Sequence, residues 1–234
     1  PEDAHPYAGE RLLRPVLEPR VLEADVGEGD GETIGGGPVV DWDLKSSLDG
    51  LYIAGESMFS AGDHSYAAST GRYAGRKAAA YVRQIGEGKF SRDQIALEKA
   101  RVYAPINRDN GIDWKELHAG IARALQYWCS EYKTESMLNI GLDSLKEIEE
   151  VFAPRLYALD PHKLMRSIED LSLLAHAQII IHASLARKAS SHALPFFRID
   201  YPDIDPPEWN KFITVKLEND MVKTGERPLN YWGN

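Results

Sequence analysis

Gly50-Leu51-Tyr52-Ile53-Ala54-Gly55-Glu56 is the stretch on which the fold turns. A compact apolar run bounded by glycines predicts a short buried strand. Because it ends in Gly-Glu, it sets a carboxylate at the carboxyl end of a sheet. α/β proteins bind ligands there, and a carboxylate in that place accepts hydrogen bonds from ribityl or ribose hydroxyls. Gly55 lets the backbone approach such a ligand closely. Downstream, the polar segment 57–65 leads into Ser69-Thr70-Gly71-Arg72-Tyr73-Ala74-Gly75. The residues from Ser69 to Arg83 are small or helix-favouring, with Ala74, Ala78, Ala79 and Val82 on one face, so a helix is expected after the Gly62-Asp63-His64-Ser65 turn, beginning near Ser69. Its free N–H groups and positive dipole end would point back toward Glu56. The order is strand, polar turn, helix.

Upstream, Gly37-Pro38-Val39-Val40-Asp41-Trp42 is a second strand candidate. The first ~30 residues mix Pro6, Pro15 and Pro19 with alternating Leu17, Val21 and Val26, and read as short extended pieces of a larger sheet. Six glycines between Gly27 and Gly37 predict a mobile turn or a close approach of backbone to ligand. Beyond Gly88 the pattern becomes helical. Ser91 is a candidate N-cap for a helix to Tyr103. Asp113-Trp114-Lys115-Glu116 carries a capping-box variant for a helix to about Tyr132, and another helix runs from Thr134 to about Phe152. Asp160-Pro161 opens the longest one, with Leu164, Ile168, Leu171, Leu174, Ala175, Ile179 and Ile181 continuing to Ala186. Three long helices with short connections predict an antiparallel bundle. Pro195, Pro202, Pro206, Pro207 and Pro228 then suggest an extended arm.

Composition excludes several classes. In 234 residues with a formal net charge of −9, the 27 basic residues are spread along the chain, which argues against a nucleic-acid surface. The most apolar helix, around 171–185, is interrupted by His176, Gln178 and His182 and does not read as a membrane span. The single cysteine, Cys129, builds neither a disulfide framework nor a metal cluster and points to a reducing, cytoplasmic setting. His118, His162, His176, His182 and His192 lack metal-ligand spacing, so no metal is expected. Gly55-Glu56-Ser57-Met58-Phe59 lacks the closing glycine of a nucleophile elbow. The chain begins Pro-Glu-Asp-Ala-His-Pro, without Met or a signal-like segment, as a fragment or processed product would.

The run from Gly37 through Gly50–Glu56 to Gly71-Arg72-Tyr73-Ala74-Gly75 resembles the last FAD-contacting segment of the fumarate reductase and succinate dehydrogenase flavoprotein superfamily. That segment is a Gly-Leu-Tyr-Ala-Ala-Gly-Glu/Asp strand, a loop and a helix with Gly-Arg-x-Ala-Gly. A second match, Ala186-Arg187-Lys188 with Phe197-Arg198-Ile199-Asp200-Tyr201-Pro202, resembles the family's Ala-Arg-x-Glu-Ser-Arg and Arg-Glu-Asp-Tyr-Pro motifs. The loop pattern looks closer to the adenylylsulfate reductase α subunit and its relatives. Ala189, Ser191 and Ile199 depart from the family's Glu, Arg and Glu, and the Asn-Arg-Leu-Gly-Gly-Asn run of true fumarate reductases is absent.

The resemblance implies an α+β chain: the end of an FAD-binding α/β domain (1–88), a spectrin-repeat-like three-helix bundle (89–188) and an extended carboxy-terminal arm (189–234). It implies FAD contacts at Gly55, Glu56, Ser69, Thr70 and Gly71, with His64 and Arg72 as catalytic candidates facing a small acid substrate. Arg187, Arg198 and Asp200 are expected to tie the tail down through ion pairs. No Gly-x-Gly-x-x-Gly strand-turn-helix occurs, so the amino-terminal half of the flavin site must lie on missing sequence or on another chain. An iron–sulfur subunit is the electron-carrying partner implied by the family. The rival expectation is a non-catalytic helical interaction module.

Overall fold

A computed structural model describes residues 20–22, 36–58, 64–86, 88, 90–219 and 221–230. In chain order the elements are β1 (Arg20–Leu22), β2 (Gly36–Pro38), α1 (His64–Ile85), α2 (Arg92–Tyr103), α3 (Trp114–Trp128), β3 (Tyr132–Lys133), α4 (Glu135–Glu147), α5 (Pro161–Ala186), β4 (Phe197–Arg198), β5 (Lys211–Glu218) and β6 (Met221–Pro228). The fold is α+β, as expected. Two compact units emerge among the described residues: Lys89–Ile181 forms one, and those of Pro15–Gly88 group with those of His182–Asn234 in the other.

The first unit is the helical bundle. Its helices start where side chains answer free N–H groups. Ser91 accepts from Gln94 N–H, Asp113 from Lys115 N–H, Thr134 from Met137 N–H and Asp160 from Lys163 N–H. Leu117, Ile121 and Ala124 of α3, Leu138 and Leu145 of α4, and Leu174, Ala177 and Ile181 of α5 supply buried stripes at helical spacing. Gly141 permits the close packing, since a Cβ there would stand 2.9 Å from both Ile181 Cδ1 and Trp128 Cβ. α4 runs on into one turn of π-helix, Ile148–Phe152, which carries Glu149 inward to accept a 2.7 Å hydrogen bond from Gln178 Nε2. α2 buries none of its residues.

Two polar links also join α3 to α5. Lys163 Nζ pairs with Asp113 at 2.8 Å, and His118 Nδ1 meets Asp170 Oδ1 at 2.9 Å. The Asp170 side chain is only 3% exposed and its Oδ2 has no partner among the described residues. Burial therefore holds its carboxyl above the usual aspartate range, against the opposing pull of His118.

The second unit holds an antiparallel sheet in the order β2-β1-β5-β6. Arg20 pairs with Pro38 on one side and Val215 on the other, and β5 pairs with β6 from Lys211↔Pro228 to Glu218↔Met221. The carboxy-terminal arm thus differs from a plain extended tail, because much of it is a hairpin. Ile213 and Val215 are buried and alternate with the less buried Phe212, Thr214 and Lys216, the period-2 signature of a strand. The prolines flank the hairpin or end it. Before it, the guanidinium of Arg198, 1% exposed, lies beneath the end of α5. It donates to the carbonyls of Ser184 (2.6 Å) and Arg187 (2.8 Å) and forms two 2.8 Å bonds with the Asp200 carboxylate. Arg198 and Asp200 thus pair with each other within the tail, and what ties the tail to the end of α5 is the set of carbonyl bonds rather than the expected ion pairs. Arg187 instead donates to the Trp209 carbonyl, its guanidinium between the Phe196 and Trp209 rings.

These buried groups generate two expected outcomes. Arg198→Met removes the bidentate partner of Asp200 and a donor to the α5 carbonyls, so urea unfolding should show a loss of about 3–5 kcal/mol, as for other broken buried pairs. Asp170 has a folded pKa raised above its unfolded value, so its contribution to stability is full at low pH and falls as pH rises through the folded value. Melting temperatures of the wild type and Asp170→Asn, measured from about pH 4 upward, should shift in favour of the Asn variant as pH rises.

Candidate functional site

Residues 41–58 and α1 form the candidate site. Asp41 Oδ1 accepts the amides of Asp43 and Lys45 (2.8 and 3.0 Å), which turns the chain sharply, with Leu44 at φ 60°. Ser46 N–H then bonds Leu51 O and Ile53 N–H bonds Leu44 O, both at 2.9 Å. The expected strand 51–54 is therefore an extended segment with one bridge, Lys45↔Tyr52, and a buried Ile53. Its backbone partners among the described residues are local.

α1 is a helix because six alanines (67, 68, 74, 78, 79 and 80) outweigh the cost of Gly71 and Gly75. It is fastened to the preceding segment by the ion pair of Lys77 with Asp43 and by the edge-on rings of Tyr52 and Tyr81, with centroids 6.3 Å apart. The Lys77 ammonium holds the Asp43 carboxyl below its usual range. The start of α1 corrects the sequence expectation: the helix is already formed at His64, five residues ahead of Ser69. Ser65, Ala67 and Ala68 tolerate helix as well as Ser69 does, and the Ser69 hydroxyl donates back to Tyr66 O at 3.0 Å rather than capping a terminus. The free first-turn amides therefore belong to residues 64–67, and those of Ser69, Thr70 and Gly71 lie inside the helix.

The other candidate residues are placed around this turn and helix. Gly55 is buried at φ +67°, a left-handed conformation that favours glycine, and it opens a 3₁₀ turn, Gly55–Ser57, closed by Met58 N–H to Gly55 O at 3.0 Å. Glu56 projects from this turn and is exposed. Gly55 N–H donates to Thr70 Oγ1 at 2.9 Å, and Thr70 Oγ1 donates to Tyr66 O at 2.7 Å, which joins the turn to α1. Ser69, Gly71, Arg72, Gly75 and Arg76 all lie exposed. An added Cβ at Gly71 or Gly75 would meet nothing within 4 Å among the described residues, so this chain's own packing does not demand glycine there. His64, also exposed, lies eight residues before Arg72, about 12 Å along the helix axis. The structure brings Gly55, Glu56 and Thr70 together and leaves His64 and Arg72 apart. Residues 59–63, the centre of the loop, lie outside the described residues, as does the glycine-rich run before Gly36. No group of three or more metal-ligating side chains occurs among the described residues.

The fit to FAD is chemical. An exposed carboxylate on a turn is an acceptor for polyol hydroxyls. The bare face at Gly71 leaves room for a planar ring or a covering chain. The Thr70 hydroxyl hydrogen, by contrast, is already committed to Tyr66.

Residues 118–232 match the fumarate reductase flavoprotein C-term family. Those residues are just under half of the chain. It is 27% identical over 174 residues to the fumarate reductase flavoprotein subunit of Escherichia coli strain K12, an alignment covering 68% of this chain and 29% of the relative. The chain thus spans less than a third of that curated relative's length. Its fold is also similar to that of Escherichia coli quinol fumarate reductase (TM-score 0.67, 22% identity, 82% of this chain and 36% of the other). Similar folds occur in Mycobacterium smegmatis Sdh1 (0.64, 23%, 83% and 35%) and in adenylylsulfate reductase of Archaeoglobus fulgidus (0.63, 21%, 70% and 29%). No helix among the described residues is long and apolar enough to cross a membrane.

The two kinds of glycine predict opposite responses. Gly55→Ala forces a Cβ into the left-handed region and should lower stability by about 1–2 kcal/mol. Gly71→Ala, in open space within a helix, should raise it by roughly 0.5–1 kcal/mol in thermal unfolding of this chain.

Proposed function

We propose that this chain is the carboxy-terminal part of an FAD-dependent oxidoreductase and supplies one wall of its flavin site. The observation that carries the reading is the exposed Glu56 carboxylate on the turn made by Gly55, beside a helix face bare at Gly71, in a chain whose residues 118–232 match the fumarate reductase flavoprotein C-term family. Two exposed glycines within a helix each cost about 1 kcal/mol relative to alanine. That cost is understandable if another body must come close. In this reading Glu56 accepts hydrogen bonds from the ribityl hydroxyls, Gly55 and Gly71 give access to backbone, and Ser69 borders the ring. When bound, FAD supplies the two-electron chemistry.

The same reading assigns the sequence to 1–88 as the end of the flavin domain, 89–188 as the bundle and 189–234 as the arm. His64 at the first turn of α1 and Arg72, about two turns further along the helix, are its substrate-side groups. The nucleotide-holding half belongs to sequence outside this chain, on the same polypeptide or on another. An iron–sulfur subunit would pass electrons, and the setting would be cytoplasmic. The name of the relative, fumarate reductase flavoprotein subunit, supports a small acid as the substrate class.

The visible spectrum of the natural protein, with subunit masses from the same sample, tests the reading. A flavin band on a longer polypeptide or a tightly bound second chain is expected, and a colourless, monodisperse 26.2 kDa species would overturn it. In the flavin-loaded protein, Glu56→Gln should weaken flavin binding about tenfold or more, because a hydrogen bond to a charged acceptor contributes about 1.5–3 kcal/mol.

A further inference from the structure

We infer that Thr70 is a positioning residue of the flavin site, one that holds the Gly55–Glu56 turn at a fixed angle to α1 rather than touching the cofactor; this rests on the reading of the site given above. Its hydroxyl works in both directions. The hydrogen goes to Tyr66 O at 2.7 Å, one helical turn back, and a lone pair receives Gly55 N–H at 2.9 Å from fifteen residues upstream. A threonine bonded back onto its own helix has a fixed rotamer, so its oxygen is a stationary acceptor.

Gly55 needs such an anchor. It is buried, so an unanswered amide there would carry a desolvation cost. Its left-handed φ of +67° is a conformation that glycine leaves easily when nothing holds it. The 3₁₀ closure from Met58 N–H fixes the far side of the turn, and the Thr70 bond fixes the near side to the helix. Glu56 is the next residue after Gly55, and Gly71 is the next after Thr70. The bond therefore couples the direction of the carboxylate to the open helix face. A site that must hold a polyol and a ring at once is sensitive to that angle, since first contacts depend on the groups that orient them. Alanine or valine at 70 would keep the helix and release the turn, whereas serine would keep the bond.

The test uses the protein in which this chain occurs, carrying Thr70→Val, Thr70→Ala, Thr70→Ser or Glu56→Gln. Amide hydrogen exchange at Gly55 is read on the flavin-free protein, and the flavin dissociation constant on the loaded one. Loss of the bond should speed Gly55 exchange about tenfold in the Val and Ala variants and weaken flavin binding by about the same factor. The Ser variant should restore both, with helix content unchanged by circular dichroism throughout. Unaltered flavin affinity in Thr70→Val and Thr70→Ala, alongside weakened binding in Glu56→Gln, would overturn the positioning role alone. Unaltered affinity in Glu56→Gln would overturn the site itself, and the role with it. Faster Gly55 exchange without any change in flavin affinity would reduce Thr70 to a purely structural link and equally overturn the inference.

Discussion

A guanidinium withdrawn from water is costly unless its donors are answered, and the second unit is organised around one that is. Arg198 closes the carboxyl end of α5, where unpaired carbonyls must find donors, and satisfies them from the tail side. Its charge is balanced by Asp200 two residues on, in a bidentate pair whose planar geometry lysine could not reproduce. The Ser190 hydroxyl receives Arg198 N–H at 2.9 Å and donates to the Tyr201 carbonyl at 2.9 Å, so the chain folds back on itself around the ion pair. Arg187, placed by the same helix end, reaches the Trp209 carbonyl. The course of the tail from the helix to the hairpin thus depends on one side chain.

The candidate site is built differently, from short local devices. Asp41 turns the chain with a single carboxylate oxygen, Asp43 holds α1 through Lys77, and Thr70 holds Gly55. Each device fixes a few residues, and together they place an acceptor turn against an almost unburied helix, of which only Ala74 is fully enclosed. Such a helix draws little stability from packing within this chain. The bundle is the reverse case, with continuous apolar stripes and polar links such as His118–Asp170 set among them.

Much of the bundle was legible in the sequence because its signals are local. Ser91, Asp113 and Asp160 are caps that announce themselves by residue type and by the helix-favouring residues after them, and the apolar spacing of α5 is that of a helix. The start of α1 was not legible, since Ser69 resembles a cap and only the surrounding structure shows its hydroxyl turned back to Tyr66. The hairpin was obscured by neighbouring prolines, although the alternation of Ile213, Val215 and Leu217 carried its signal. The family motifs singled out Glu56, Arg198 and Asp200 by residue type, but not that Arg198 and Asp200 pair with each other. Thr70 drew notice as a helix-start residue, while its bond to Gly55 spans fifteen positions and leaves no periodic trace. His118 and Asp170, 52 positions apart, are joined only by packing.

The sheet has a consequence for how the molecule comes to be made. Arg198 meets the Ser184 carbonyl across fourteen positions, a closure of the kind that small loops complete within microseconds. β1 is in the opposite situation, because Arg20 pairs with Val215, 215 − 20 = 195 positions later. A ribosome adding about 5–20 residues per second leaves that strand without one of its two neighbours for roughly 10–40 s. Throughout that interval β1 presents an open edge of backbone donors and acceptors, and a crowded cell offers many strands that would fit it. Arrival of β5 closes that edge, which makes the carboxy-terminal hairpin the last guard against misassembly as well as a part of the finished fold.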